Sequence, residues 1–82
     1  MEKVYRNAIV EYKKVLQKDP ANAQMFFNLS TAYNGLNQGQ NAVLCARKAQ
    51  ELFGKKNDGA GEAKARKRLR ELYKTYNIKP EE

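Results

Sequence analysis

The chain has 82 residues, enough for one small domain with a modest core. Sixteen Lys and Arg against nine Asp and Glu, with no His, give a formal net charge of +7. The single cysteine, Cys45, excludes an internal disulfide, and the lack of histidine makes a metal site of the usual zinc ligands implausible. No apolar run approaches the ~20 residues that span a bilayer, and the N-terminus has no signal-peptide core. We therefore expect a cytoplasmic protein.

The residues that enzymes use are poorly represented. General acid–base catalysis needs titratable side chains gathered in a pocket, and the chain has no His and few acidic residues, most of them on predicted helix surfaces. Cys45 has no His or second Cys to activate it, which favours a packing role. The glycines between 54 and 61 stand in the wrong order for a phosphate-binding loop. We expect neither an enzyme nor a cofactor.

The first predicted helix covers residues 2–18 and ends before Pro20, since the residue preceding a proline is displaced from helical geometry. Its apolar side chains recur at helical spacing, and we expect Tyr5, Ile9 and Tyr12 to form a face without a partner. Two explanations are open. Either the chain is a piece of a longer array, or a second copy covers this face and the protein is a homo-oligomer.

The second and third helices are predicted over 22–35 and 40–53, with a short polar connection between them. Asn22 is a plausible N-cap for the second helix, because its side-chain oxygen can accept from the first-turn amides. The apolar positions of the third helix include several alanines, which let the second helix approach closely. These two helices form a helical hairpin.

The first and third helices also match each other at a fixed shift. Ala8 falls on Ala42 and Val15 on Ala49, each pair 34 residues apart, which is the period of tetratricopeptide repeats. Residues 5–54 resemble that family as half a repeat followed by one complete repeat. The resemblance is carried by the following framework positions: Phe26, Leu29, Ser30, Tyr33, Ala42 and Ala49. The departures are Asn37 and Gly39 in the turn, Ala46 where the family prefers an aromatic, and Gly54 in place of proline.

The resemblance implies a right-handed stack of antiparallel helical hairpins with a concave groove that binds peptides. The positions of the second helix that match the groove are Gln24, Phe27, Asn28, Thr31 and Asn34. Phe27 is a candidate ligand contact because the core needs only Phe26, but Phe27 could instead pack against the preceding helix. Asn28 matches a position that often bonds a peptide backbone, since an amide offers a donor and an acceptor, although it could equally be a solvated polar residue.

A glycine-containing loop is predicted over 55–61, and a fourth helix follows over 62–76. This helix has a narrow apolar stripe and a mostly cationic remainder, as expected of a solvent-facing cap. Residues 78–82 are expected to be a frayed tail. The resulting domain plan is one unit with a first helix within 1–20, a complete repeat over 21–54, the loop, and a basic capping helix over 62–77.

The basic fourth helix leaves three interpretations open. The helix is only a soluble cap, or it attracts an acidic protein, or it binds nucleic acid or an anionic surface. We expect neither nucleic acid nor a membrane to be the main partner. Aligned on the repeat, Lys64 and Arg68 fall where some tetratricopeptide proteins grip the acidic tails of chaperones. Arg68 could grip a carboxylate with both prongs, with Lys64 one turn away.

The sequence therefore predicts an all-α, non-catalytic module that binds a peptide or helix of a protein partner, which could be acidic. The predicted partner-binding residues are those on the second helix and Lys64 and Arg68 on the fourth. The alternative is an assembly adaptor that self-associates through Tyr5, Ile9 and Tyr12.

Overall fold

The computed structural model describes residues 1–79, which are helical apart from short connections. The four α-helices in this range are Glu2–Lys18 (α1), Ala23–Gly35 (α2), Gly39–Lys55 (α3) and Gly59–Tyr76 (α4). Each helix packs on the next one along the chain, and α2 also touches α4. Because the connections are very short, consecutive helices run antiparallel. The prediction of an all-α stack of four helices in hairpins is confirmed for this part of the chain.

The connection between α3 and α4 is much shorter than predicted. A loop over 55–61 is wrong, because α3 continues to Lys55 and α4 already begins at Gly59. The reversal is made by Asn57, whose φ of 57° lies in the left-handed region that asparagine tolerates better than most residues. Asp58 then caps α4, with its carboxylate accepting from the amide of Gly61 at 2.9 Å.

The same helix ending occurs three times. Asn37, Asn57 and Asn77 are the non-glycine residues with positive φ in residues 1–79. In each case the amide of the following residue donates back to a carbonyl in the last turn, as Asp58 does to Phe53 at 2.9 Å. Asparagine therefore ends three helices at equal spacing along the chain.

The core lies where α3 is enclosed between α2 and α4. Ala42, Ala46 and Ala49 on α3 have no exposed surface, so the prediction that small residues let α2 approach closely is confirmed. Ser30 on α2 is also fully buried, and its hydroxyl donates to the carbonyl of Ala42 at 2.9 Å. On the opposite side of α3, Leu72 of α4 packs against Ala42, Val43 and Ala46, and only 1% of its surface is exposed.

A glycine on one helix admits an aromatic ring from another at three places. Tyr5 lies against Gly35, Tyr76 against Gly39, and Phe53 against Gly61. A methyl group at any of these glycines would overlap the ring. Three glycines in residues 54–61 favour a loop prediction. One of them, Gly61, lies instead in α4 and allows this helix to pack closely against Phe53.

The face of α1 with Tyr5, Ile9 and Tyr12 is not left without a partner. Ile9 is buried against Leu29 and Ala32 of α2, and both tyrosines are half-buried beside it. The expectation of an uncovered face is wrong, because α2 itself supplies the apolar surface that covers these three residues. The exposed large apolar side chains are different ones: Val4, Val10 and Val15 on α1, and Met1 just before it.

The fourth helix has the surface expected of a cap. Ala65, Leu69 and Leu72 are buried, whereas the side chains on its remaining positions are mostly charged. The predicted frayed tail is only partly described. Ile78 is half-buried and packs against the cluster of Val43 and Leu72, so it is not frayed, and residues 80–82 lie outside the described part of the chain.

Candidate functional site

The structure brings all seven predicted partner-binding residues onto one surface, where α2 and α4 lie side by side. We call this surface the α2–α4 face. It consists of Gln24, Phe27, Asn28, Thr31 and Asn34 on α2, with Lys64 and Arg68 on α4. Residues 24, 28 and 31 recur at steps of four and three, which places them on one side of α2.

Hydrogen bonds join the two helices at three places across this face. Lys64 Nζ donates to Gln24 Oε1 at 3.0 Å, and Arg68 Nη1 donates to Thr31 Oγ1 at 2.7 Å. About two turns further along α4, the hydroxyl of Tyr76 donates to Asn34 Oδ1 at 2.7 Å and also lies 3.2 Å from the Asn34 carbonyl oxygen. The polar residues predicted to line a groove are thus linked to one another. Each of the two cations donates to a neutral acceptor.

Phe27 is buried, with 9% of its surface exposed, so it is not the open ligand contact that the sequence suggested. It does not pack mainly on the preceding helix either, because its cluster consists of Ala23, α3 residues and Ala65 of α4. Lys64 Nζ and the guanidinium carbon of Arg68 lie 4.6 and 4.5 Å from its ring centroid. Cations at this distance are attracted by the face of the ring. Phe27 therefore forms the base of the site beneath two charges.

Asn28 is half-buried beside this pair, and its side-chain oxygen accepts from Gln24 Nε2 at 2.9 Å. In residues 1–79 no hydrogen bond uses the amide nitrogen of the Asn28 side chain. The residue therefore keeps donor capacity on the α2–α4 face.

A shallow depression of about 330 Å³ opens on the α2–α4 face. Its lining is Phe27 with four charged residues of α4: Lys64, Lys67, Arg68 and Glu71. Arg68 is the least exposed of these four charged residues, with 22% of its side chain exposed. Its Nε lies 3.9 Å from a carboxylate oxygen of Glu71. Because cations outnumber the single carboxylate, the depression favours an anionic group.

Three contributors to this site were not identified from the sequence. Lys67 and Glu71 follow Lys64 at steps of three and seven, so helical spacing alone could have placed them on the same side of α4. Tyr76 falls at helical spacing with Leu69 and Leu72, which predicts only a place in the apolar stripe of the fourth helix. Its hydroxyl bond to Asn34 depends on how α2 and α4 lie relative to each other, which periodicity does not reveal.

Other chemistry finds little support in residues 1–79. No group of three potential metal ligands occurs there, and none of the helices has the length and apolarity to cross a membrane. Burial raises the pKa of the Cys45 thiol to about 11, although the nearby charge of Lys13 opposes this shift. The thiol is therefore protonated at neutral pH, which is consistent with a packing role beside Ile9 and Leu29.

Comparison of the chain with protein-family models, with curated proteins and with solved structures finds no match.

Proposed function

We propose that the protein is a non-catalytic, tetratricopeptide-like interaction module, in a right-handed stack, that binds an acidic segment of a protein partner on the α2–α4 face. One observation carries the proposal. Lys64 and Arg68 lie side by side over the ring of Phe27, and both donate to neutral side-chain oxygens on α2. The 34-residue spacing between the first and third helices supports the repeat architecture.

An incoming carboxylate would replace a weaker partner of each cation. Lys64 and Arg68 already donate charged hydrogen bonds to the neutral oxygens of Gln24 and Thr31. A carboxylate in place of each oxygen would add the attraction between opposite charges, and with Arg68 it can form a bidentate pair. Arg68 can present two parallel donors to one carboxylate, and Lys64 acts as a point charge one turn away. The ring of Phe27 positions both cations before the partner arrives, which reduces the entropy lost on binding.

Asn28 gives the site a way to hold the main chain of the partner. Its unused amide hydrogens point to a role as a donor to a peptide carbonyl, next to the cations that hold the acidic side chains. Such a contact is independent of the partner's side chains. Specificity would then come from the charge of the segment.

The first prediction concerns affinity for an acidic peptide. The probe is a fluorescein-labelled peptide that ends in Asp-Glu-Glu with a free carboxyl terminus, and we expect it to bind the protein. A Lys64→Gln/Arg68→Gln variant should bind this peptide at least about tenfold more weakly, because each lost hydrogen bond to a charged group is worth about 1.5–3 kcal/mol. Fluorescence anisotropy at fixed ionic strength measures both affinities.

The control for this experiment removes the same net charge elsewhere. Lys3 and Lys18 are exposed on α1, away from the α2–α4 face, and a Lys3→Gln/Lys18→Gln variant should change the affinity by less than about twofold. Equal losses in the two variants would mean that the peptide responds only to overall charge, and the proposed site would be rejected. An amidated peptide with Asn and Gln in place of the acids should not bind.

Self-association is a second candidate function, and it rests on a different surface from the one expected. Val4 and Val15 are 64% and 41% exposed on α1, and Met1, the N-cap residue of this helix, is 86% exposed. Apolar side chains at this spacing on one flank are typical of a helix that packs against another helix.

We expect light scattering over a concentration series to show a mass that rises towards a dimer, because pairing would cover these exposed side chains. A Val4→Gln/Val15→Gln variant should stay monomeric at every concentration. A monomeric mass for the unchanged protein throughout the series would remove this candidate without affecting the α2–α4 face.

A further inference from the structure

The outward side of α4 carries a second depression, which we call the outer notch. It has a volume of about 450 Å³ and is lined by Lys67, Arg70, Glu71, Tyr73 and Lys74. It shares Lys67 and Glu71 with the depression on the α2–α4 face but involves no residue of α2. The notch is therefore a separate surface, reached from a different side of the same helix.

The inside of the outer notch is mostly carbon. Its lining residues are long side chains whose methylene groups, together with the ring of Tyr73, form the walls, while their charged ends stand at the rim. A volume of this size lies within the range of small ligand sites and accommodates one large apolar side chain. The charged surface of α4 thus contains an apolar recess.

The rim of the notch carries unbalanced positive charge. Three of its four charged residues are cations, and in the described part of the chain none of Lys67, Arg70 and Lys74 has a carboxylate within ion-pair distance. The one acid, Glu71, lies 3.9 Å from Arg68, which lines the neighbouring depression on the α2–α4 face. An acidic partner would therefore find three cations available at one place.

Tyr73 forms a fixed wall of the notch. Arg47 Nε donates to its hydroxyl at 3.1 Å, and the guanidinium carbon of Arg47 lies 5.8 Å from the ring centroid. The ring is also half-buried against the cluster of Val43 and Leu72. Because α3 holds the hydroxyl and the ring, Tyr73 is poorly suited to stacking with a nucleic-acid base, which needs an open aromatic face.

We propose that the outer notch binds an acidic amphipathic helix of a protein partner, with one large apolar side chain in the recess. Acidic residues one turn before and after that side chain would lie over Lys67, Arg70 and Lys74, since residues three and four apart share a helix face. Single-stranded nucleic acid could pair its phosphates with the same cations but would leave the carbon-lined recess unfilled.

The test uses the isotope-labelled protein and a synthetic helical peptide as the probe. The peptide has about 16 residues, near the length at which isolated helices become stable, with one central Leu flanked by Glu at helical spacing. We expect amide chemical shifts in the protein to change over residues 67–74 and to leave residues 24–34 largely unchanged. Replacing the Leu of the probe with Ala, or its Glu residues with Gln, should each weaken binding at least about fivefold.

Protein variants distinguish this surface from the α2–α4 face. Arg70→Gln/Lys74→Gln should weaken binding of the helical probe at least about fivefold, whereas Lys64→Gln/Arg68→Gln and the matched Lys3→Gln/Lys18→Gln should each change it less than about twofold. Shift changes centred on α2, or a Gln-substituted probe that binds as well as the Glu form, would overturn the proposal. So would an oligothymidine that displaces the probe and binds more tightly, with the steep salt dependence of phosphate contacts.

Discussion

Replacing Leu72 with alanine should lower the free energy of unfolding by about 2–5 kcal/mol, the usual cost of emptying a well-packed leucine site. Leu72 is 1% exposed and packs with Ala42, Val43, Ala46 and Leu69 between α3 and α4. The neighbours on α3 are mostly alanines, which are too short to collapse into the space. A cavity would therefore remain, and α4 would lose its main attachment.

Urea unfolding followed by circular dichroism measures this effect, and Leu44→Ala provides the matched control. The control makes the same Leu-to-Ala change on α3, the helix against which Leu72 packs. Leu44 is 59% exposed, so its replacement should lower the free energy of unfolding by no more than about 0.5 kcal/mol. Domains of this size have total stabilities of only about 4–12 kcal/mol, so Leu72→Ala should leave a substantial unfolded fraction at modest urea concentrations. Similar losses for the two variants would mean that α4 is not packed as described.

The second large effect is expected at Gly61. A Gly61→Ala variant should be less stable by about 1–3 kcal/mol, because the added methyl group would overlap the ring of Phe53 and force one of the two helices to move. Gly59 lies in the same first turn of α4, yet a methyl group there would meet nothing within 4 Å. Gly59→Ala should therefore raise stability by about 0.4–1 kcal/mol, since alanine restricts the unfolded chain.

The opposite signs of these two substitutions make the comparison informative. Both replace a helical glycine with alanine in one turn of α4, so helix propensity contributes similarly to each. If both variants gained stability, Phe53 would not approach Gly61 closely. A Phe53→Leu substitution in the Gly61→Ala background should recover part of the loss, because a smaller side chain would leave room for the methyl group.

The helices themselves were predictable because their apolar residues recur at a strong 3.6-residue period. The stretch 55–61 was not, since three glycines within the polar segment 54–61 are usual in a loop. A better signal was present: Asn57-Asp58-Gly59 follows the pattern of Asn37-Gln38-Gly39, the turn that had been placed correctly. In both connections the asparagine reverses the chain and the next residue is the N-cap of the following helix. Three residues are therefore enough to join α2 to α3 and α3 to α4.

Which face of each helix is buried was harder to predict than where the helix begins and ends. Phe26 and Phe27 are neighbours in sequence, and periodicity makes either one a core residue. Phe27 is the deeper of the two because α4 covers it with Lys64 and Arg68, and the position of α4 is not encoded locally in α2. The apolar face of α1 was recognised, but periodicity alone did not show that α2 would cover it.

The helices differ in how many neighbours support them. α3 is enclosed by α2 and α4, whereas α1 packs mainly on α2 alone. In a stack held by nearest-neighbour interfaces, an end helix with one supporting surface opens at a lower free energy than the whole domain. Transient detachment of α1 would expose Leu29 and Ala32 while leaving α2, α3 and α4 packed together. The α2–α4 face and the outer notch both lie within that three-helix unit, so they would persist while α1 is detached.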